Sequence, residues 1–281
     1  MMTKARCFKY LMVAGMSAAL VACGQNANTG KAAPAPPKSA PATKAAPAPD
    51  FAALAADAVA DPARPDKDRA DDAARKPAAV LAFAGIAPGM TVLEMEAGSG
   101  YYTQMLSTLA GPSGHVIMQN PAAFDAFLGE RVAARLAGGR LGNVRLSKTS
   151  FDALDAPDAS VDVVTWFLGP HELFYTPKDG ASLGDPKASF AQIFRVLKPG
   201  GALVVLDHAA AAGAPSSTGG KTHRIDPAIV KALARNAGLE LVASSAVLAN
   251  PDDDHNLLVF DPRVRRKTDR FLLKFKKPES A

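Results

Sequence analysis

The sequence predicts an α/β domain built on a doubly wound, mostly parallel sheet of seven strands. Three observations carry the prediction. The run TVLEMEAGSGYYTQ, residues 91–104, passes from an apolar strand through the turn Ala97-Gly98-Ser99-Gly100 straight into a helical pattern. Beyond it, short apolar runs alternate with amphipathic helical patterns, the order of a parallel sheet with crossover helices. Near the end, residues 270–275 alternate with period two and read as an edge strand that closes the sheet.

The glycine turn is the first candidate site. Glycine lets the chain turn with positive φ and lets a ligand approach the backbone closely. The free N–H groups of the following helix favour an electronegative group. Glu94 stands at the carboxyl end of the strand, where it can accept hydrogen bonds. The dinucleotide fingerprint is not met, because Thr103 stands where its last glycine belongs. Glu94-x-Glu96-x-Gly98-x-Gly100 resembles the first motif of class I S-adenosylmethionine-dependent methyltransferases, with Glu96 in place of the usual first glycine. The resemblance implies a Rossmann-like class I methyltransferase fold whose last strand is antiparallel. It implies S-adenosylmethionine as cofactor, held by Glu94, Gly98, Ser99, Gly100, Tyr101 and Thr103.

The N-terminus reads as an address rather than as part of the fold. Lys4, Arg6 and Lys9 form a basic region, and residues 11–21 form an apolar run. That run is shorter than the roughly 20 residues a spanning helix needs. It ends in Leu20-Val21-Ala22-Cys23, which resembles a bacterial lipobox. Residues 1–22 are therefore expected to be a lipoprotein signal peptide, with Cys23 as the lipidated residue. Gly24 follows the cysteine where an aspartate would favour inner-membrane retention, so the expected location is the outer membrane, facing the periplasm. Cys7 leaves with the signal, so no disulfide or thiol nucleophile is expected in the mature domain. The net charge of +5 falls to +2 once the three basic residues of the signal are gone. The high pI is thus no argument for nucleic acid, and no nucleic-acid partner is expected.

Residues 23–60 read as a disordered Ala/Pro/Lys tether, with weak helical periodicity over 50–59, and residues 61–281 as the methyltransferase-like domain. Residues 61–76 are strongly charged, and Arg64, Arg69 and Arg75 read as a solvated face. Pro77 opens a helix, and Ala87-Pro88-Gly89 turns into the first strand. A helix over 101–109 leads to the second strand, 115–119, with His115 at its start as a structural residue. In the family an acid at the end of this strand takes the ribose hydroxyls; here the resemblance lands on Gln119 and Asn120.

A helix is expected over 124–136, a short third strand over 143–146, and then Ser150-Phe151-Asp152. By resemblance Phe151 and Asp152 lie beside adenine. The fourth strand, 161–167, starts beside Asp162, a structural acid in the family. It ends at Leu168-Gly169-Pro170-His171-Glu172. A helix over 186–197 and the turn Leu197-Lys198-Pro199-Gly200-Gly201 precede the fifth strand, 202–206, which ends at Asp207-His208. The Gly/Ala/Ser-rich residues 209–220 read as a lid or a disordered loop. Asp226 caps a helix over 228–237, opened by Pro227 and stopped by Gly238. The sixth strand is expected over 239–248. The GYYT turn, HE, DH, HRID and KTDRFLLKFKKP, in that order, resemble a group of exported predicted methyltransferases over residues 61–278.

The carboxyl ends of strands in an open parallel sheet face the ligand crevice. His171, Glu172, His208, His223 and Arg224 are accordingly the candidate catalytic residues, and His255 could converge with them. In one reading a histidine deprotonates an acceptor as a methyl group moves. In the other, His171, Glu172, Asp207, His208 and His223 bind a metal; spacing leaves this open, and no metal site is assigned. The function expected is S-adenosylmethionine-dependent methylation of a small-molecule acceptor at the cell envelope, with the oligomeric state open. The alternative is a catalytically inactive lipoprotein of the same fold that binds another ligand or a partner.

Overall fold

The computed structural model describes residues 48–177, 180 and 182–280. Seven strands form one sheet: β1 (Thr91–Met95), β2 (His115–Gln119), β3 (Val144–Ser147), β4 (Val161–Phe167), β5 (Leu197–His208), β6 (Glu240–Ser245) and β7 (Arg270–Lys276). Their order is β3-β2-β1-β4-β5-β7-β6. Strands β1 to β5 pair in parallel, and β7 runs antiparallel to both neighbours. The apolar residues of β1, β4 and β5 are buried, as continuous apolar runs in a parallel sheet require.

Ten helices surround the sheet among the described residues. They are α1 (Phe51–Ala60), α2 (Asp66–Arg69), α3 (Asp72–Arg75), α4 (Pro77–Ala84), α5 (Tyr101–Ala110), α6 (Asp125–Leu128), α7 (Arg131–Leu136), α8 (Pro186–Val196), α9 (Thr218–Thr222) and α10 (Pro227–Asn236). Two start as the sequence dictates. Asp185 and Asp226 accept from Ala188 N and Ala228 N at 2.8 Å, each before a proline at the first helical position. The two faces of the sheet carry separate cores. Phe190, Ile193 and Val196 of α8 and Val230 and Ala234 of α10 pack on one. Ala55 of α1, Leu81 of α4 and Met105 of α5 pack on the other.

Several expectations are corrected. Helix α1 buries Ala55 and Ala58 against α4 and α5, so residues 51–60 belong to the folded domain and not to a tether. Strand β7 lies between β5 and β6, and the edge on that side of the sheet is β6. Wedging an antiparallel strand beside β5 buries Leu272, Leu273 and Phe275, which explains its apolar character. The helix expected over 124–136 is broken at Gly129, whose φ is +54°. Residues 209–220 are not an open loop. Ala210 N donates to Ile225 O at 3.0 Å, and α9 packs on the turn Pro170–Phe174. Arg64 is buried and pairs with Asp72 at 2.6 Å, so it is no solvated residue. Among the described residues no helix is long and apolar enough to cross a membrane. The signal peptide, Cys23 and the tether up to residue 47 lie outside the described residues.

Candidate active site

The strand order reverses at β1, whose neighbours are β2 on one side and β4 on the other. Ligands of open α/β sheets bind outside the carboxyl ends of the strands at such a point. A cavity of about 560 Å³ opens there, lined by the end of β1 (Glu94 to Ser99), the start of α5 (Tyr101, Tyr102) and the end of β4 (Phe167, Leu168). Its volume is within the roughly 300–1,000 Å³ of ordinary ligand sites.

The glycine turn is fixed from behind. Gln119 Oε1 accepts from Glu96 N at 3.0 Å, and its Nε2 donates to Thr149 O at 2.6 Å. Asn120 Oδ1 accepts from Gly98 N at 2.8 Å, and its Nδ2 donates to Gly98 O at 3.0 Å. Arg135, held by Asp68 at 2.7 Å, donates to Ser99 O at 3.0 Å. Gly100 takes φ +85°, and a Cβ there would meet Arg135 Cγ at 2.8 Å. At the floor, buried Glu94 accepts from Thr103 Oγ1 at 2.5 Å. Burial pushes the Glu94 carboxyl up to about 8, against the Thr103 hydrogen bond and the Arg135 charge. Glu96 adopts φ +54° and accepts from Trp166 Nε1 at 3.2 Å. Burial, and then the Glu172 charge, hold it well above the usual carboxylate range.

The opposite wall is polar. The end of β4 turns through Pro170–Phe174, β5 ends at Asp207-His208, and α9 ends at His223. These three segments bring four side chains together. His171 Nδ1 lies 2.7 Å from Asp207 Oδ1, and its backbone N–H donates to Asp207 Oδ2 at 2.9 Å. His171 Nε2 lies 3.1 Å from His223 Nδ1 and 3.3 Å from Glu172 Oε1. His223 Nδ1 lies 3.0 Å from the same Oε1. Burial opposes protonation of His171, but the charges and hydrogen bonds of Asp207 and Glu172 raise it to about 10. Glu172 is held low, because the hydrogen bonds of His171 and His223 outweigh its burial. His208 sits apart, with Nδ1 2.7 Å from Thr268 Oγ1. Burial and the His171 charge hold it well below its ordinary value, so it stays neutral.

Of the expected catalytic residues, His171, Glu172, His208 and His223 line the cavity. Arg224 does not. It is fully buried on the far side of its backbone and pairs with Asp253 at 2.8 Å, with Leu257 O and Ala209 O also accepting from it. His255 pairs with Asp269 at 3.0 Å, away from the cavity. Among the expected cofactor residues, Glu94, Gly98, Ser99 and Tyr101 line the cavity. Gly100 and Thr103 lie behind it as supports. Asn120 is buried and does not line the cavity; its amide holds the N–H and the C=O of Gly98 from behind. Phe151 is buried against Trp166 at 4.9 Å between ring centroids, and Asp152 accepts from Ser150 Oγ and Asp185 N. Neither reaches the cavity. Asp162 accepts from Thr91 N and Lys198 Nζ, a purely structural role.

The sequence reading missed Arg75, stacked 4.5 Å from the Tyr101 ring centroid, and the aromatic residues Phe124, Phe127 and Phe260 that line the mouth. It also missed Glu96 as a cavity carboxylate. The signal for Glu96 is its place: an acid in a turn that otherwise holds only small residues.

The residues present suit S-adenosylmethionine in most of its parts. Glu172, held low, faces a space where a sulfonium or an ammonium group is favourable, and the carboxyl groups of Glu94 and Glu96, held high by burial, offer acceptor oxygens to the same space. A Cβ on Gly98 would meet nothing within 4 Å, so the turn leaves open room on its cavity side. The Arg75 guanidinium at the rim suits a carboxylate. The ribose acid alone has no counterpart at the end of β2.

Comparison with known proteins agrees with this geometry. The model of the ubiE/COQ5 methyltransferase family matches residues 75–237. A ubiquinone/menaquinone biosynthesis C-methyltransferase UbiE from Erwinia tasmaniensis is 28% identical over 172 residues, covering 60% of this chain and 64% of its own length. The protein of that name from Pasteurella multocida is 35% identical over 123 residues, 44% of this chain and 41% of its own. The chain thus spans less than two thirds of the length of these relatives. Among solved structures, a SAM dependent methyltransferase from Aquifex aeolicus superposes with a TM-score of 0.53 at 21% identity, covering 76% of this chain and 98% of that one. A complex of the Haloferax volcanii Trm112 methyltransferase activator with a methyltransferase contains a chain that superposes with a TM-score of 0.51 at 21% identity, over 82% of this chain and 98% of that one. These likenesses are evidence for the fold.

Proposed function

The chain belongs to the ubiE/COQ5 methyltransferase family, and from that premise we propose that it methylates a small hydroxylated aromatic acceptor with S-adenosylmethionine. One observation carries the reading: a single cavity joins the glycine turn after β1 to the His171–Glu172–His223 cluster after β4 and α9. The turn at Gly98 and Ser99, where nothing lies within 4 Å of a Cβ built on Gly98, would let the cofactor approach closely, with Glu94 and Arg75 as its polar partners. When bound, S-adenosylmethionine supplies an electrophilic methyl group. The aromatic mouth formed by Phe124, Phe127, Tyr175 and Phe260 suits a flat apolar acceptor. The polar cluster receives the acceptor's hydroxyl. Removing that proton places negative charge on the ring and makes a ring carbon nucleophilic, which accords with the C-methyltransferase name of the relatives.

The test is transfer of labelled methyl from S-adenosylmethionine to a panel of phenols, catechols and hydroquinones, with the site of methylation read by NMR. Label on carbon in at least one acceptor is expected, with Glu172→Gln slower by roughly 100-fold or more. Bound cofactor with no transfer to any of them would count against the reading. A second reading, an inactive chain that holds another ligand, is favoured by the missing ribose acid at Asn120. Mass spectrometry of small molecules that co-purify separates the two: S-adenosylhomocysteine supports the first, and an unrelated ligand the second.

We also infer, from the lipobox alone, that Cys23 carries lipid and that the domain works at the cell envelope, probed by comparing membrane and soluble fractions. Cys23→Ser should release the protein from the membrane fraction, and the wild type should show an acyl mass on its N-terminal peptide. An unmodified wild-type peptide would remove the anchor from the account.

A further inference from the structure

We propose that His171 Nε2, His223 Nδ1 and Glu172 Oε1 form one face of a binding site for a divalent first-row transition-metal ion, with the remaining coordination positions open to the cavity. The three atoms make a nearly equilateral triangle with edges of 3.0, 3.1 and 3.3 Å. An ion with metal–nitrogen and metal–oxygen bonds of about 2.0–2.2 Å spaces adjacent ligands roughly 3.0–3.4 Å apart in octahedral or tetrahedral geometry. The triangle has that size. Two imidazoles and one carboxylate with an open side are the donor set of the 2-His-1-carboxylate facial triad.

Without an ion, two imidazole N–H groups converge on one oxygen, Glu172 Oε1, at 3.0 and 3.3 Å, which brings the two ring nitrogens to 3.1 Å of each other. A cation on the open side would replace those two protons and take one lone pair from each of the three atoms. The surroundings are built as a metal site's surroundings are. His171 Nδ1 is held by the fully buried Asp207 at 2.7 Å, which leaves Nε2 directed at the triangle. Asp207 is fixed in turn by the backbone N–H groups of His171 and His208. Such carboxylate–histidine–metal relays orient the ligand ring and raise its basicity. His223 is brought to the triangle by a left-handed backbone, φ +53°, a conformation with a cost that persists only where the surroundings impose it. His208 stands outside the triangle, its ring centroid 6.2 Å from that of His171 and its Nδ1 2.7 Å from Thr268 Oγ1.

The open positions face the same cavity as the glycine turn. There an ion would take the acceptor's hydroxyl oxygen and favour its ionised form, as bound metals do for oxygen ligands. That use rests on the methyl-transfer reading; the site's existence does not.

Binding is measured on the full chain carrying Cys7→Ser and Cys23→Ser, so that no thiol competes, in mild detergent after removal of metal with a chelator. Titration with Co²⁺ alone is followed by calorimetry and visible absorption, and repeated with Zn²⁺. One equivalent is expected to bind, with the absorption of cobalt in a mixed nitrogen–oxygen site. Asp207→Asn should weaken binding roughly 10–100-fold. His223→Ala and Glu172→Gln should weaken it further; Glu172→Gln keeps the side-chain shape, and a melting curve confirms that each is folded. S-adenosylhomocysteine is titrated into the same samples. If the parent binds neither ion, or if Glu172→Gln and His223→Ala bind as the parent does, the site is refuted. Metal binding without cofactor binding would keep the site and sink the methyl-transfer reading; cofactor binding without metal would do the reverse.

Discussion

Replacing Arg224 separates a structural arginine from a catalytic one. Its guanidinium is fully buried and makes four hydrogen bonds: two to Asp253 at 2.8 and 3.1 Å, one to Leu257 O at 2.9 Å and one to Ala209 O at 3.0 Å. Arg224→Met keeps much of the volume and removes every donor. Removing one member of a buried ion pair costs about 3–5 kcal/mol, because the other charge stays behind unpaired. Asp253 keeps acceptor contacts with the backbone N–H groups of Asp269 and His255, which favours the lower end of that range. For a domain of this size a loss of 3–5 kcal/mol lowers Tm by roughly 6–20 °C. Adding Asp253→Asn should recover part of the loss, since it removes the stranded charge and keeps an oxygen for those amides. Differential scanning calorimetry reads the Tm, and calorimetric titration at low temperature reads cofactor affinity, which should be unchanged in the folded variant. An Arg224→Met protein that melts with the wild type but loses methyl transfer by 100-fold would refute the structural assignment.

Gly169→Ala should disturb the cavity wall, because a Cβ there meets Trp166 Nε1 at 2.2 Å and Glu96 Oε2 at 2.3 Å. The expected cost is about 1–3 kcal/mol, and Trp166, the only tryptophan in the chain, should report it as a shift in fluorescence emission. With a chelator present, stability should fall as pH rises from about 6.5 to about 10. His171 is held above its unfolded value, so its contribution is complete below 6.5 and is lost as pH passes the folded value of about 10. The slope from this one group is at most about 1.4 kcal/mol per pH unit, and Asp207→Asn should flatten it in urea titrations run across that window. Glu94 is likewise held above its ordinary value, at about 8, so its contribution is complete below about 4.5 and lost as pH passes 8. Glu94→Gln should remove that slope in the same urea titrations.

The sheet was legible because its signals are local. A strand, a glycine turn and a helix follow one another within residues 91–110, and each apolar run has its turn beside it. Strand order past β5 is a long-range choice between edges, and the period-two pattern of residues 270–275 fits an interior antiparallel strand as well as an edge. Of the site, the residues that follow strand ends were found, since the topology alone carries His171, Glu172 and His208 to the crevice. Arg224 was misread because adjacent residues at a bend face opposite ways: His223 turns to the cavity and Arg224 into the body of the domain. Asn120 and Thr103 were placed one layer too far forward. Their positions follow the family motif, but their side chains are spent on Gly98 and Glu94. Arg64 and Arg135 were hidden because the acids that neutralise them, Asp72 and Asp68, lie 8 and 67 positions away in the chain.

The central claim is that the cavity beside the glycine turn binds S-adenosylmethionine, and titration calorimetry with S-adenosylhomocysteine tests it most directly. The comparison is wild type against Gly98→Ala. Gly98 has φ +58° and open space where a Cβ would stand, so the added methyl enters the cavity and strains the turn by roughly 1–2 kcal/mol. One equivalent should bind to the wild type, and the variant should bind about 5- to 30-fold more weakly, each 1.4 kcal/mol being a factor of ten. No heat from the wild type at millimolar ligand, or equal affinity in the two proteins, would contradict the account.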